Sequence, residues 1–138
     1  MAYNVEDFLA ENVKLKNETK EVKIKDFKSP FIIKALTADE FNEMQKQATT
    51  SYINKKTHQR IQETDQGKLV DLMMAEAVIQ PDLTNEKLQK SWGCIADPAG
   101  VLKKMLNAGQ YADLGQSIQE ISGFDIDSIN NYVEQAKN

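Results

Sequence analysis

The sequence predicts an α+β fold, predominantly α: an N-terminal β-hairpin packed on a single-domain array of about five to six short helices. Three observations lead there. Apolar residues alternate with charged ones between Glu21 and Ala35, the period of a half-buried strand. Beyond Leu36 they recur at helical spacing in short runs, each closed by its own Gly, Pro, Asp or Asn. And 138 residues, 41% hydrophobic and 28% charged, suit one domain that buries roughly two-thirds of its unfolded surface.

Residues 1–20 read as a loosely attached segment. Asn4 can cap a short amphipathic helix carrying Val5, Phe8, Leu9 and Val13, followed by a charged connector. Val22 and Ile24 then share one strand face and Phe31, Ile33 and Ala35 another, with Lys28, Ser29 and Pro30 as the break of an antiparallel hairpin. At Leu36 the period changes. Thr37 and Glu40 make a T-x-x-E capping box, in which each side chain accepts from a backbone N–H of the other, and Leu36 with Phe41 occupies the two positions of a hydrophobic staple. Phe41, Met44 and Ala48 continue the apolar face, and the helix is expected to end between residues 48 and 52. Residues 49–63, rich in Thr, Ser, Asn, Gln and Lys, read as a mobile loop or a loose hairpin.

A second helix is expected from Thr64 or Asp65 through Gln80, stopped by Pro81 and Asp82. Its apolar surface, with Leu69, Leu72, Met73, Val78 and Ile79, is broad enough for burial on more than one side. Thr84 is placed to cap the next helix, with Leu88 and Trp92 inward and Gly93 supplying the positive φ that ends it. Asp97 and Pro98 form an N-cap and first-turn pair for a helix running through Val101, Leu102, Met105 and Leu106 to about Gly109. Tyr111, Leu114, Ile118 and Ile121 mark another, ended by Gly123. Asp125 caps the last helix, Phe124 and Ile129 repeat the staple, and residues 132–138 fray.

A net charge of −4 argues against a general binder of nucleic acid or of anionic membranes, which are recruited by positive fields. The lone Cys94 cannot form an intramolecular disulfide, which fits a cytoplasmic protein. The N-terminus has no basic and apolar signal pattern, and no apolar run approaches the ~18 residues of a membrane span, so neither export nor anchoring is expected.

Chemistry is sparse. Cys94 and His58 could in principle pair as thiolate and base, but Cys94 follows Trp92 and Gly93 in an apolar context and His58 sits in the polar stretch with nothing to orient it. A packed thiol and a solvated histidine are expected instead. The pair is also too few for a zinc site. DIDSINN, residues 125–131, has the first two spacings of a calcium loop but lacks its glycine and its bidentate Glu. No phosphate loop, nucleophile elbow or H-E-x-x-H is present. No catalytic residue, metal or cofactor is therefore expected, and a protein that binds other proteins or itself remains. Lys55, Lys56 and Arg60 form the one basic cluster, read first as a solvated loop, then as a contact for an acidic protein partner, and last as a nucleic-acid site, since Tyr52 alone could stack a base. Leu69, Met73 and Met74 offer an adaptable apolar face, and Tyr111 is the remaining candidate contact.

F-x-I-K-A-L-T-x-x-E at 31–40, Ala48 with Thr49, Q-P-D-L at 80–83 and E-K-L-Q-x-x-x-G at 86–93 follow one another in an order similar to that of the XkdN-like phage tail assembly chaperones. K-M-L-x-x-G-x-Y-x-x-L at 104–114 and I-x-E-I-S-G-F-D at 118–125 resemble the C-terminal half of that family, with Gln110 where an acidic residue is expected. The resemblance spans about residues 31–125. It implies a small non-enzymatic protein of the bacterial host cytoplasm that binds the long tape-measure protein, keeps it soluble and helps tail-tube subunits assemble around it, without staying in the finished virion. The tail-tube protein and self-association are further expected contacts, while nucleic acid and membrane are not. The alternative is a small helical regulatory or nucleic-acid-associated protein that uses the basic residues 55–60.

Overall fold

The computed structural model describes residues 2–11, 13 and 18–124. In chain order these form a 3-10 turn (Val5–Phe8), β1 (Thr19–Val22), β2 (Phe31–Lys34), α1 (Ala38–Ala48), β3 (Thr49–Ile53), β4 (Arg60–Thr64), α2 (Gln66–Ala77), β5 (Val78–Gln80), α3 (Glu86–Trp92), α4 (Pro98–Met105) and α5 (Ala108–Ile121). The fold is α+β, as the periodicities predict. The expected last helix from Asp125, its Ile129 staple and the frayed tail lie outside the described residues.

β1 and β2 make the expected antiparallel hairpin, with Val22 opposite Phe31 and Thr19 opposite Lys34. The first strand starts earlier than expected and stops at Val22. Ile24 leaves it because the chain turns there: Phe27 N–H donates to the Ile24 carbonyl at 3.2 Å, with Asp26 at φ +79°. Ile24 and Phe27 still pack against the core from this connection. Phe31 and Ile33 alternate with Ile32 and Lys34, so one face of β2 is buried.

The strand-to-helix junction forms as its residues dictate. Thr37 Oγ1 accepts from Glu40 N–H at 3.1 Å and Glu40 Oε1 accepts from Thr37 N–H at 3.0 Å, closing the capping box. Leu36 and Phe41 line one hollow with Phe124. The opposite end of the chain locks onto the same place: Leu36 N–H donates to Ser122 Oγ at 2.9 Å, and the Phe41 and Phe124 rings meet edge-on at 5.2 Å.

One stretch left with two expected forms takes one of them, and three boundaries differ from the sequence expectation. Residues 49–63, expected as a mobile loop or a loose hairpin, form the hairpin: β3 and β4 pair from Thr49 opposite Thr64 to Ile53 opposite Arg60. Apolar alternation is absent because this ribbon buries little, with only Thr49 and Ile61 partly covered. Its turn is held by Asn54, whose Oδ1 accepts from Lys56 N–H at 2.9 Å. The helix expected to reach Gln80 ends at Ala77, and the β-branched pair Val78 and Ile79 continues as β5, antiparallel to β2. The main sheet thus has the order β1-β2-β5. Asn85, not Thr84, caps α3, accepting from Leu88 N–H at 3.0 Å, while Thr84 donates its hydroxyl to Asp82 at 2.6 Å. Finally, α4 stops at Met105 rather than near Gly109, because Asn107 and Gln110 form a second capping box that starts α5.

Candidate partner-binding surfaces

Seven residues carry the sequence-based expectation of a partner contact, and they separate into three groups. Leu69, Met73 and Met74 are interior, exposing 6%, 6% and 1% of their surfaces. α2 packs against α1, α4 and α5, so its apolar breadth is consumed by its own chain and the expected Met-rich face is core. The sequence shows that such a helix wants cover on several sides; it does not show that three neighbouring helices provide it.

Tyr111 is half-buried, and its hydroxyl donates to Asp71 Oδ1 at 2.8 Å. Lys103 Nζ holds the other oxygen of the same carboxylate at 2.7 Å. The three side chains bracket α2, α4 and α5 together. Burial, reinforced by the Asp71 carboxylate, pushes the Tyr111 phenol well above its ordinary value.

Lys55, Lys56 and Arg60 are exposed at the end of the β3–β4 ribbon. Both long edges of this ribbon are free of further strands among the described residues. Arg60 Nε donates to Ser51 Oγ at 2.8 Å, which holds the guanidinium along one face. Tyr52 and Ile53 beside it are 47% and 67% exposed. The Tyr52 hydroxyl donates to Glu63 Oε1 at 3.1 Å, and this bond raises its pKa. The ribbon therefore combines open backbone edges, two exposed apolar side chains and a basic tip, the elements of strand-addition or helix-face recognition.

His58 occupies a position of the ribbon turn with φ +58°, and Cys94 packs against the core just after α3. The two stand on separate elements. Among the described residues no group of three or more His, Cys, Asp and Glu is arranged to hold a metal ion. No described helix is long and apolar enough to cross a membrane.

Sequence reasoning missed two polar anchors. Gln89 is buried on α3, donating to the Leu83 carbonyl at 2.9 Å and accepting from Ala96 N–H at 3.1 Å, so one side chain ties the chain before the helix to the chain after it. Lys34 bridges Glu40 at 2.9 Å and Glu76 at 3.1 Å, joining β2, α1 and α2. Neither has a local signal, since each partner is supplied by the fold.

The family model described as "Phage XkdN-like tail assembly chaperone protein, TAC" matches residues 5–137. The chain belongs to this family. Among its relatives in the XkdN-like family, protein XkdN of the phage-like element PBSX of Bacillus subtilis (strain 168) is 32% identical over 130 residues, covering 94% of this chain and 86% of that protein. The uncharacterized protein YqbN of the same organism is 34% identical over 110 residues, covering 79% of this chain and 72% of that one. The crystal structure of YqbN superposes with a TM-score of 0.68 at 26% identity, covering 91% of this chain and all of that chain (100%). This chain and YqbN thus share one fold.

Proposed function

We propose that this chain is a non-enzymatic chaperone of phage or prophage tail assembly. It binds the tape-measure protein in the cytoplasm of the bacterial host, keeps it soluble, and promotes assembly of the tail tube around it without remaining in the finished virion. Membership of the XkdN-like family supports the process. The observation that carries the binding role is the β3–β4 ribbon, whose exposed Tyr52 and Ile53 stand beside Lys55, Lys56 and Arg60 on a two-stranded element with open edges. A long apolar client gains from such a surface: backbone edges and apolar side chains cover its exposed segments, and the basic tip selects those that carry acids.

Co-expression with the tape-measure protein tests this. The soluble fraction of the tape measure should fall severalfold when this chain is omitted. It should also fall when Ile53→Asp, Lys55→Glu and Lys56→Glu are combined on the ribbon, where none of the three is buried. A tape measure equally soluble without the chain would sink the reading. Nucleic acid is disfavoured at the same ribbon because Glu63 lies against Tyr52, the aromatic that a base would stack on.

A further inference from the structure

We infer that residues 3–11 of one copy dock in the apolar groove beside Trp92 of a second copy, so that the chain self-associates by exchanging N-terminal arms. Two uncovered surfaces of the same molecule point to each other. Ten large hydrophobic residues are exposed among the described residues, and four of them fall in this arm: Tyr3, Val5, Phe8 and Leu9. Phe8 is 70% exposed, and no residue of the 3-10 turn is buried. The Tyr3 and Phe8 rings meet edge-on at 5.6 Å, joining two of these exposed groups. The helical spacing of the arm suggests a docked segment, yet among the described residues its apolar side chains stay exposed.

The groove lies between the β1–β2 connection and α3. Two depressions of about 330 and 390 Å³ run together there, both lined by Pro81 and Leu88. Phe27, Trp92 and Met105, each partly buried against the core, build the apolar wall. Lys28 stands at one depression and Lys87 at the other, both exposed. The single carboxylate in the lining, Asp82, is engaged by the backbone N–H and the hydroxyl of Thr84.

Charge matches shape. Besides Glu6, residues 2–11 contain the exposed Asp7 and Glu11 and no Lys or Arg, so an acidic segment with apolar side chains matches an apolar trough with lysines at its margin. A second copy is the fitting occupant. The arm enters the sheet through Thr19, opposite Lys34, whereas the groove opens at the Phe31 end of the same strands. A reciprocal exchange between two copies covers both arms and both grooves with one repeated contact, the economy of an isologous interface. A foreign partner would cover only one of the two surfaces. The β3–β4 ribbon takes no part in this contact.

Trp92 is the only tryptophan, so its emission reports directly on the groove. Sedimentation of the full chain over a concentration series should give a mass of two or more chains that falls to one on dilution, with Trp92 emission moving to the red as the groove opens. Phe8→Asp, at an exposed residue without core contact, should weaken the association by about tenfold or more. Lys28→Glu combined with Lys87→Glu should weaken it in the same direction, as should added salt. A synthetic peptide of residues 2–11 should lower the mass while keeping Trp92 emission blue. A chain that stays monomeric at all concentrations, or an association indifferent to Phe8→Asp, overturns the inference. So does a monomer whose Trp92 emission shifts with Phe8→Asp, which would mean that the arm folds back on its own groove.

Discussion

Glu40 shows how much one side chain can be asked to do. It accepts from the Thr37 backbone N–H and from Lys34, and these contacts, the first being the larger, lower its pKa from 4.5 to about 2. The folded value lies below the unfolded one, so the stabilisation is fully present above about pH 4.5 and is lost as the pH falls toward 2. Glu40→Gln keeps an acceptor for the capping box but cannot ionise, and it should lower stability at pH 7 by about 1–2 kcal/mol given the partial exposure of the pair. Urea unfolding at stepped pH should show the two proteins converging between pH 5 and pH 2. A difference that persists undiminished at pH 2 would remove the ionic contribution. The capping half of this arrangement is legible in T-x-x-E. Lys34 and Glu76 are not, because only the packing of α2 beside β2 and α1 brings them within reach.

At the scale of elements, starts and stops were readable wherever a single residue type meets a backbone demand. Gly93 adopts φ +71° at the end of α3, as its place after Trp92 predicts. A Cβ there meets nothing within 4 Å, so Gly93→Ala should cost only the left-handed strain, about 1 kcal/mol. Thermal or urea unfolding of that variant measures it, and an unchanged midpoint would mean the helix end relaxes freely. Asp97 with Pro98 was equally legible. The misplaced boundaries share another cause. Val78 to Gln80 continue the apolar content of α2, and they become strand because β2 has an edge to fill. Asn107 looks like one more polar helix residue until its side chain accepts from Gln110 N–H at 2.8 Å. The β3–β4 ribbon carries little buried surface, and without burial there is no period of two to detect.

For the whole molecule, the Tyr111, Asp71 and Lys103 bracket joins three helices, α2, α4 and α5. Tyr111→Phe keeps the ring and removes the hydroxyl, leaving Asp71 with Lys103, so a loss of about 1 kcal/mol is expected by chemical denaturation. The phenol pKa is raised in the folded state, hence its contribution holds below the ordinary value of 10.0 and fades as pH climbs through the folded one. The variant should therefore differ from the parent most near neutrality and least in strong alkali, and equal stabilities at pH 7 would show that the hydrogen bond adds nothing.

The sequence by itself determined the class of fold, the strand-to-helix junction, most helix starts and the likeness to XkdN-like chaperones, because these rest on periodicity, capping and the order of short motifs along the chain. Only the tertiary structure decided which apolar residues are surface. It turned Leu69, Met73 and Met74 inward, left Tyr52, Ile53 and Phe8 outside, and set Trp92 in the wall of a groove. The physical reason is that hydrophobicity records a preference for cover, while the cover itself comes from elements far away in the chain. A side chain that finds cover becomes core, and one that does not becomes a candidate for a partner.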